Sequence, residues 1–478
     1  MLAIARQQSS VFLGGIALLF ISVIASIITD AWVLMAIPFV CTAAVFLALR
    51  PTSIFYILFA LLPFSTEVNL PGGVGLDLPA EPLMIIACGL LFLIAISHLR
   101  KWDSRYFINS LSLTILGMLV WTLITTLFST QPVISVKYIL AKLWYIIPFY
   151  LGTIVLFHQD HERVRTLIKV IVASSMIAMC YVVARHSLSG FDFTTITSSG
   201  RPFFRNHVNY GALLVLILPF LGYLYKTSTN IHKGLLYGMT LCLLLFAIYT
   251  TYTRAAYVCV FGIIAGYLMI KYRLTTIAFI IVGLISIAGL AQLIESNTYL
   301  EYAPNYQKTI SHHNIDNLME ATMKGEDVST MERVYRWVAG VRMIGAKPLF
   351  GFGPGAFFES YEPYTVRSFE TYVSINREKS GIHNYYLMVT CEQGIIGLLI
   401  FLLMTVLPLL LAERVFATAK DQQIRYIAMA SALSLITIDL LLLINDLLEA
   451  DKVGPYYFLS IGLITVCYVY IKVTNKAT

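Results

Sequence analysis

Long apolar runs recur along this chain and restrict the kind of fold it can adopt. Runs of roughly 18 to 25 apolar residues follow one another through the sequence, and each is long enough to cross about 30 Å of hydrocarbon as an α-helix. Strands of a membrane barrel would instead alternate apolar and polar residues. Of the 478 residues, 58% are hydrophobic and 12% are charged, which is untypical of a soluble protein. The sequence therefore predicts an all-α, polytopic helical membrane protein.

The apolar runs predict about 12 to 14 transmembrane helices. The runs cover residues 11–29, 31–48, 53–64, 82–98, 107–128, 134–157, 166–185, 208–225, 234–252, 255–271, 274–292, 384–411, 424–444 and 456–473. The third run is short, so we expect it to be tilted, broken or re-entrant. Residues 293–383 form the one long connection, and we interpret 1–478 as a single membrane domain with this helix-containing loop inserted between two spans.

Lysine and arginine are concentrated in alternate connections, which predicts the orientation of the helices. By the positive-inside rule those connections are cytoplasmic, together with both termini. They contain Arg6, Arg50, Arg100, Lys101, Arg105, Arg163, Arg165, Lys226, Lys233, Lys271, Arg273, Arg414, Lys420, Arg425, Lys472 and Lys476. The other connections, including 293–383 and the acidic stretch "NDLLEADKVGP", are then periplasmic or exterior. The net charge of +7 follows from the same rule and does not indicate a nucleic-acid partner.

The cysteines and acidic residues show no metal-binding pattern. All seven cysteines fall in predicted spans, and the sequence has no C-x-x-C pair. No exterior Asp-x-Asp motif is present either. We therefore expect neither a disulfide framework nor a metal or other cofactor.

The long loop contains one clear helix signal, "STMERVYRWVAGVRMIGAKPLFGFGPG". Pro348 ends the run, and an apolar stripe suggests that the helix lies against the membrane surface or the bundle. The stripe consists of Val334, Trp337, Val338 and Val341. The following "GFGPGA" fits a dinucleotide-binding spelling, but no βαβ pattern surrounds it, so we interpret it as a turn.

Ionisable residues at the exterior ends of the helices are the candidate site residues, because burying them near lipid costs several kcal/mol. Four clusters stand out: Arg201 and Arg205 in "SSGRPFFRNHVNYG"; Arg254 in "TYTRAAYV"; Arg333 and Arg336 in the loop helix; and His383 with Asn384. The planar guanidinium group suits phosphate oxygens, so converging arginines suggest a bound diphosphate. The alternative is that they pair with lipid headgroups or with acids such as Glu332 and Glu359.

Two further features have both a structural and a chemical interpretation. His383 is either a capping or interface residue or, beside an arginine-rich pocket, a general base, because an imidazole titrates near neutrality. Lys137 and Lys142 lie within the sixth predicted span. Each is costly there unless it is paired or extends its amine to the interface.

Several motifs resemble those of the O-antigen ligase and O-antigen polymerase superfamily of bacterial inner-membrane glycosyltransferases. His383 and Asn384 are followed by nine residues and then by Gly394-x-x-Gly397, which matches the spacing of the ligase signature. "TYTRAAYV" is similar to a Thr-x-Ser-Arg stretch, and "FFRNHVNYG" and the loop helix with its glycine turn also resemble family segments. The chain departs from the pattern in Gly397-Leu-Leu, in Thr253 for serine and in Val258 for leucine. The resemblance runs from about residue 201 to about 403.

The resemblance implies that a glycan moves from an undecaprenyl diphosphate carrier to an acceptor hydroxyl on the periplasmic face of the inner membrane. The acceptor is lipid A core in a ligase of lipopolysaccharide biosynthesis. It is the terminal sugar of another carrier-linked repeat in an O-antigen or exopolysaccharide polymerase, and a protein in an O-oligosaccharyltransferase. The implied reaction is a metal-independent, inverting displacement, with membrane lipids around the enzyme.

The same resemblance suggests a role for each candidate residue. His383 and Arg254 would be catalytic: the histidine handles the proton of the attacking hydroxyl, and the arginine neutralises charge on the leaving diphosphate. The substrate-binding residues would be Arg201, Arg205, Arg333, Arg336, Asn384 and Tyr385. A flippase or other transporter of lipid-linked oligosaccharides is the alternative from another class. It would show ionisable residues near the bilayer midplane and internal repeats, whereas these candidates are predicted at one face.

Overall fold

The computed structural model describes residues 52–70, 74–98, 103–158, 160–295, 328–365 and 381–474. Within these ranges the chain is helical apart from connections and one two-stranded hairpin. The predicted spans 11–29 and 31–48 lie outside the described residues. The all-α membrane class predicted from the apolar runs is confirmed.

The described part of the chain contains fifteen α-helices. They are α1 (Thr52–Leu61), α2 (Ala80–His98), α3 (Ser110–Leu127), α4 (Pro132–Phe157, with a π-helical turn at Ile147–Leu151), α5 (His161–Ser187), α6 (Ile196–Gly200), α7 (His207–Lys226), α8 (Ile231–Tyr249), α9 (Arg254–Lys271), α10 (Thr275–Glu295), α11 (Val328–Ala346), α12 (Phe357–Ser360), α13 (Tyr385–Thr418), α14 (Gln422–Leu442) and α15 (Gly454–Thr474).

Every predicted span from 53–64 to 456–473 coincides with one of these helices. Among the described residues, nine helices are long and apolar enough to cross a membrane. Three further apolar helices are shorter, at Ser53–Phe64, Ala80–Ile96 and Thr275–Gly289. The short third run predicted from the sequence is the first of these.

Helix α14 lies at the centre of the bundle and packs against α7, α9, α13 and α15. Most of α7, α14 and α15 is buried, whereas only 17% of α8 and 22% of α9 is buried, so these two helices contribute to an apolar outer surface for lipid. Gly262 and Gly266 of α9 face Leu440 and Ile436 of α14, where an added Cβ would overlap their side chains. Small residues therefore let these two helices approach closely, as is typical of membrane bundles.

Contacts sort the connections into two sets, one at each end of the bundle. Connections predicted to be exterior contact one another, through Arg205 with Glu67, Lys452 with Ser65 and Thr130 with Phe352. Connections predicted to be cytoplasmic do the same, through Tyr106 with His158, Arg165 with Thr227 and Gln423 with Glu162. The structure thus agrees with the predicted alternation of the helices, and the periplasmic orientation of one end stays a prediction.

A β-hairpin lies at the end predicted to be exterior, between α1 and α2. Strands β1 (Thr66–Leu70) and β2 (Val74–Leu78) pair antiparallel, with Thr66 opposite Leu78. Sequence analysis had treated this segment only as an exterior connection. The hairpin matters for the site because its Glu67 binds Arg205.

Candidate functional site

Helix α13 is interrupted at Gly394, the glycine that follows His383 at the motif spacing. Gly394 has φ 70° and ψ −175°, which is not helical. A Cβ atom at this position would overlap the carbonyl of Leu349. Only glycine fits both the positive φ and the close approach of the loop backbone. The break leaves backbone groups of α13 without their usual intrahelical partners.

The turn at 348–355 and the Trp121 side chain of α3 satisfy these groups. The hydrogen bonds run from Phe352 N to Cys391 O (2.9 Å), from Gly353 N to Glu392 O (2.9 Å), from Ile395 N to Pro348 O (2.8 Å) and from Trp121 Nε1 to Gln393 O (2.9 Å). Gly351 and Gly353 have φ 66° and 108°, and a Cβ on either would overlap neighbouring atoms. The segment "GFGPGA" is therefore a turn, as predicted, and it docks the long loop into the break of α13.

Helix α11 of the loop packs on the first part of α13. Gly340 lies against Ile382 and Cys391, where an added Cβ would crowd both side chains. A small apolar cluster completes this contact, formed by Ala339, Met343, Phe352, Ala356, Phe357, Tyr361, Ile382 and Cys391. Of the two positions predicted for the loop helix, the structure shows the one against the bundle.

This packing brings Arg336 to the backbone of Gly381, two residues before His383. Arg336 is only 4% exposed, and its Nη1 donates to the carbonyl oxygen of Gly381 at 3.2 Å. His383 has φ 55°, a left-handed conformation that is costly for a residue other than glycine. Its backbone N–H donates to Oδ2 of Asp446 at 2.7 Å. Asp446, which follows α14, thus fixes the strained backbone that presents the histidine.

The surroundings of His383 favour its neutral form. Burial, followed by the positive charges of Arg333 and Arg336, lowers the pKa of His383 to about 4. Its pKa therefore lies below that of an ordinary imidazole. Burial also raises the pKa of Asp446 to about 7. At pH 7 the imidazole is uncharged and carries one acceptor nitrogen, as a general base requires.

A cavity of about 250 Å³ borders Gly381 and Tyr385, which lie two residues before and after His383 in the sequence. It is lined by Tyr138, Gly355, Phe357, Phe358, Gly381, Tyr385, Met388, Val389, Glu392, Asp446 and Glu449. Three carboxyl groups, those of Glu392, Asp446 and Glu449, therefore share one small space with four aromatic rings. Glu392 is buried, and its Oε1 accepts from Phe357 N at 3.3 Å.

A network centred on Glu449 forms one wall of this cavity. Lys142 Nζ of α4 donates to Glu449 Oε1 at 2.6 Å and to the Tyr385 hydroxyl at 3.1 Å. The same carboxylate oxygen accepts from Tyr385 at 2.6 Å and from Tyr138 at 3.1 Å. The Lys142 side chain is 5% exposed and that of Glu449 is 37% exposed. The requirement that Lys142 be paired is thus met by a residue of the loop after α14.

The remaining residue of the histidine cluster, Asn384, is the N-cap of α13. Its Oδ1 accepts a hydrogen bond from Leu387 N at 3.1 Å, which is a favourable start for a helix. A contact with substrate stays a prediction for this side chain.

The other predicted arginines lie near the hairpin and the starts of α7 and α9. Arg205 is 61% exposed and forms an ion pair with Glu67 at 3.1 Å, an acid that sequence analysis did not propose as its partner. Arg201 is also exposed, and its carbonyl oxygen accepts from the Tyr181 hydroxyl. The half-buried Arg254 begins α9.

The residue before Arg254 links α9 to α7. Thr253 is buried, and its Oγ1 donates to His207 O at 3.3 Å. Gly211 of α7 also lies close to this threonine. Helix α9 in turn contacts α13, so Arg254 and His383 stand at the starts of two helices that pack together.

Sequence reasoning missed Asp446, Glu449, Glu392 and Tyr138. The first two belong to the acidic stretch "NDLLEADKVGP", which was assigned to the same side as His383 but given no role. An acid so close to the end of a span was the available signal. Glu392, within a predicted span, carried the same signal.

One comparison with known proteins places a family domain over the central part of the chain. Residues 239–402 match the family model described as O-antigen ligase. The match begins in α8, contains Arg254 and the long loop, and ends in α13 beyond Gly397. Over this segment, the match supports the superfamily resemblance of the motifs. A search of curated proteins found no significant match to the chain.

Proposed function

We propose that this chain, whose residues 239–402 match the O-antigen ligase family model, transfers a glycan from undecaprenyl diphosphate to lipid A core. The observation that supports this proposal best is the half-buried His383, on which the positive charges of Arg333 and Arg336 act. A neutral base next to fixed positive charge suits a reaction that removes a proton at one point and releases a phosphate anion nearby.

The proposed reaction is a single displacement. A ring nitrogen of His383 accepts the proton of the acceptor hydroxyl as that oxygen forms a bond to the anomeric carbon. The bond between this carbon and the diphosphate oxygen breaks, and the electron pair leaves with undecaprenyl diphosphate. The configuration at the anomeric carbon is inverted, and the proton on the imidazole passes to solvent or to the leaving phosphate.

Arginines are proposed to take the place that a metal ion has in many phosphate sites. Arg254, with Arg205 and Arg201, would neutralise the charge that grows on the departing diphosphate. Arg333 and Arg336 would hold the substrate near His383 and keep the imidazole neutral. Transfer in the presence of a metal chelator is expected to equal transfer in its absence.

The acceptor is tested by supplying the purified full-length chain with an undecaprenyl diphosphate glycan and three alternative acceptors. Lipid A core is expected to become glycosylated. A longer carrier-linked glycan would instead show a polymerase, and a glycosylated protein would show an oligosaccharyltransferase. Movement of the carrier glycan across a vesicle membrane without any transfer would show a flippase and contradict the proposal.

The orientation is proposed to place this site on the periplasmic face of the inner membrane. Two single-cysteine variants report on opposite ends of the bundle. One carries Glu359→Cys in α12, and the other carries Ser228→Cys between α7 and α8. A membrane-impermeant thiol reagent added to intact spheroplasts is expected to label the first and not the second. The reverse pattern would place the site in the cytoplasm.

A further inference from the structure

We propose that the cavity beside His383 is the binding site of the acceptor, and that it holds one uncharged sugar ring through Glu449. This inference rests on the proposed function and adds a subsite to it. The cavity is bordered by Gly381 and Tyr385, which flank His383 on either side in the sequence. A ring in this cavity would therefore present a hydroxyl next to the base.

The described lining of the cavity suits an uncharged ligand better than the diphosphate. Among the residues that the structure describes, the lining contains the carboxyl groups of Glu392, Asp446 and Glu449 and no arginine, lysine or histidine. Lys142 is bound to Glu449 at 2.6 Å, and Arg336 is bound to the carbonyl oxygen of Gly381. We therefore place the phosphate near the arginines and an uncharged ligand rich in hydroxyl groups beside the carboxyl groups.

The lining offers both kinds of contact that a sugar ring needs. Carboxylate oxygens accept hydrogen bonds from hydroxyl groups, and flat aromatic rings cover the C–H faces of a pyranose. Tyr138, Tyr385, Phe357 and Phe358 supply the rings. The volume of about 250 Å³ is below the roughly 300–1,000 Å³ of pockets for drug-sized ligands. The space therefore suits a single ring rather than a longer glycan.

Hydrogen bonds fix the carboxylate of Glu449 in a position where it can bind such a ligand. Lys142, Tyr138 and Tyr385 all donate to its Oε1, which fixes the position of the carboxylate. Its side chain remains 37% exposed. A preorganised, accessible carboxylate binds a hydroxyl with little loss of side-chain entropy. The ion pair with Lys142 thus holds the Glu449 carboxylate in place to accept hydrogen bonds from sugar hydroxyl groups.

The kinetic test compares Glu449→Gln with the wild-type chain in the transfer assay. Loss of a hydrogen bond to a charged group is expected to raise KM for the acceptor roughly 10- to 100-fold, while KM for the carrier-linked donor stays unchanged. Glu359→Gln is the matched control, because Glu359 lies in α12 next to the cavity-lining Phe358 but is exposed and does not line the cavity. An equal rise in both KM values, or no change in either, would overturn the proposal.

Glu449→Gln leaves the buried Lys142 without a counter-ion, which can itself destabilise the fold. A second variant without this unpaired charge is therefore needed. The double variant Lys142→Met/Glu449→Gln removes both charges and keeps similar volumes, which is often well tolerated. It is expected to show the same selective rise in acceptor KM. A double variant that folds and has wild-type acceptor KM would contradict the role of Glu449.

A binding measurement separates this inference from the proposed reaction. Saturation-transfer NMR on the full-length wild-type chain in detergent, with methyl glycosides of glucose, galactose and mannose, is expected to show contact with at least one. The signal should be lost in Glu449→Gln and kept when sodium diphosphate is added in excess. Loss of the signal on adding diphosphate, or contact with none of the glycosides, would overturn the subsite. Absence of transfer despite glycoside binding would count against the proposed function alone.

Discussion

The histidine side and the hairpin side of the candidate site are built differently. On the histidine side, Arg336 is buried, and the backbone of His383 is held by Asp446. On the hairpin side, Arg201 and Arg205 are exposed, and the ion pair between Arg205 and Glu67 is half open to solvent. The first region is rigidly packed before any substrate arrives, whereas the second presents accessible charge.

This difference suggests a division of labour between the two sides. A proton acceptor needs fixed geometry and a controlled pKa, and burial provides both. Groups that capture an anion at the membrane surface gain more from access and long-range attraction. We therefore expect damage on the histidine side to affect kcat and folding, and damage on the hairpin side to affect mainly donor KM.

The largest effect is expected for His383→Ala. Loss of the general base should lower kcat about 100- to 10,000-fold with little change in the free energy of unfolding. The measurement is steady-state transfer with saturating donor and acceptor. His232→Ala, at an exposed residue of α8, is the control. Full activity of the His383 variant would remove the histidine from the proposed mechanism.

The next effect is expected for Gly394→Ala, which tests the rigid packing itself. Alanine would have to adopt a positive φ and would overlap the Leu349 carbonyl. We expect a loss of roughly 2–4 kcal/mol in the free energy of unfolding, measured by thermal unfolding in detergent.

Two matched glycines show whether this sensitivity belongs to the histidine side. Gly75→Ala in the hairpin would meet only the flexible end of the Glu67 side chain, at 2.7 Å. Gly117→Ala in α3 would meet nothing within 4 Å. Each should change stability by about 1 kcal/mol or less. Equal losses in the free energy of unfolding at all three positions would show that the histidine side is no more tightly packed than the other regions.

A smaller effect, in pH dependence, is expected for Arg336→Gln. The active imidazole is neutral, so the rate falls as pH drops through the pKa of His383, which is about 4 in the wild-type chain. Removing one of the two positive charges that lower this pKa should move the acid limb of kcat/KM upward by about one pH unit.

Two groups need attention in this pH experiment. Burial raises the pKa of Asp446 to about 7, and Arg336 lowers this pKa as well as that of His383, so both profiles are measured in an Asp446→Asn background. Arg342→Gln on the same helix is the control, because Arg342 binds the carbonyl groups of Tyr364 and Thr365. An unchanged acid limb in the Arg336 variant would show that His383 does not control it.

The smallest effects are expected on the hairpin side. Because Arg205 and Glu67 are both substantially exposed, either substitution by glutamine should change stability by less than about 1 kcal/mol. Arg205→Gln is expected to raise donor KM up to about tenfold, while Glu67→Gln, which frees the guanidinium, should lower it. A parallel change in both variants would indicate that the pair is only structural.

Much of the site was predictable because its signals are local in sequence. His383, Asn384 and the glycines at 394 and 397 lie within one short segment, and the structure shows why their spacing matters. Asn384 caps α13, and Gly394 marks the break that receives the loop. The turn at 351–355 was also recognised, but its partner was not, because a turn motif contains no information about the helix it will meet.

The acidic side of the site was not predictable in the same way. Asp446 and Glu449 are far from His383 and Lys142 along the chain and share no periodic pattern with them. A lysine within a predicted span showed that some partner was required, since an unpaired charge there is costly, but not which residue it was.

The sequence alone determined the membrane class, the helices and the histidine motif, because hydrophobic length and short-range spacing act locally along a chain. Only the tertiary structure decided that Arg336 and Asp446 meet at Gly381, that Glu449 pairs with Lys142, and that Arg205 stays exposed. Those relations depend on how helices pack across the bundle, and packing fixes which distant charges are buried together.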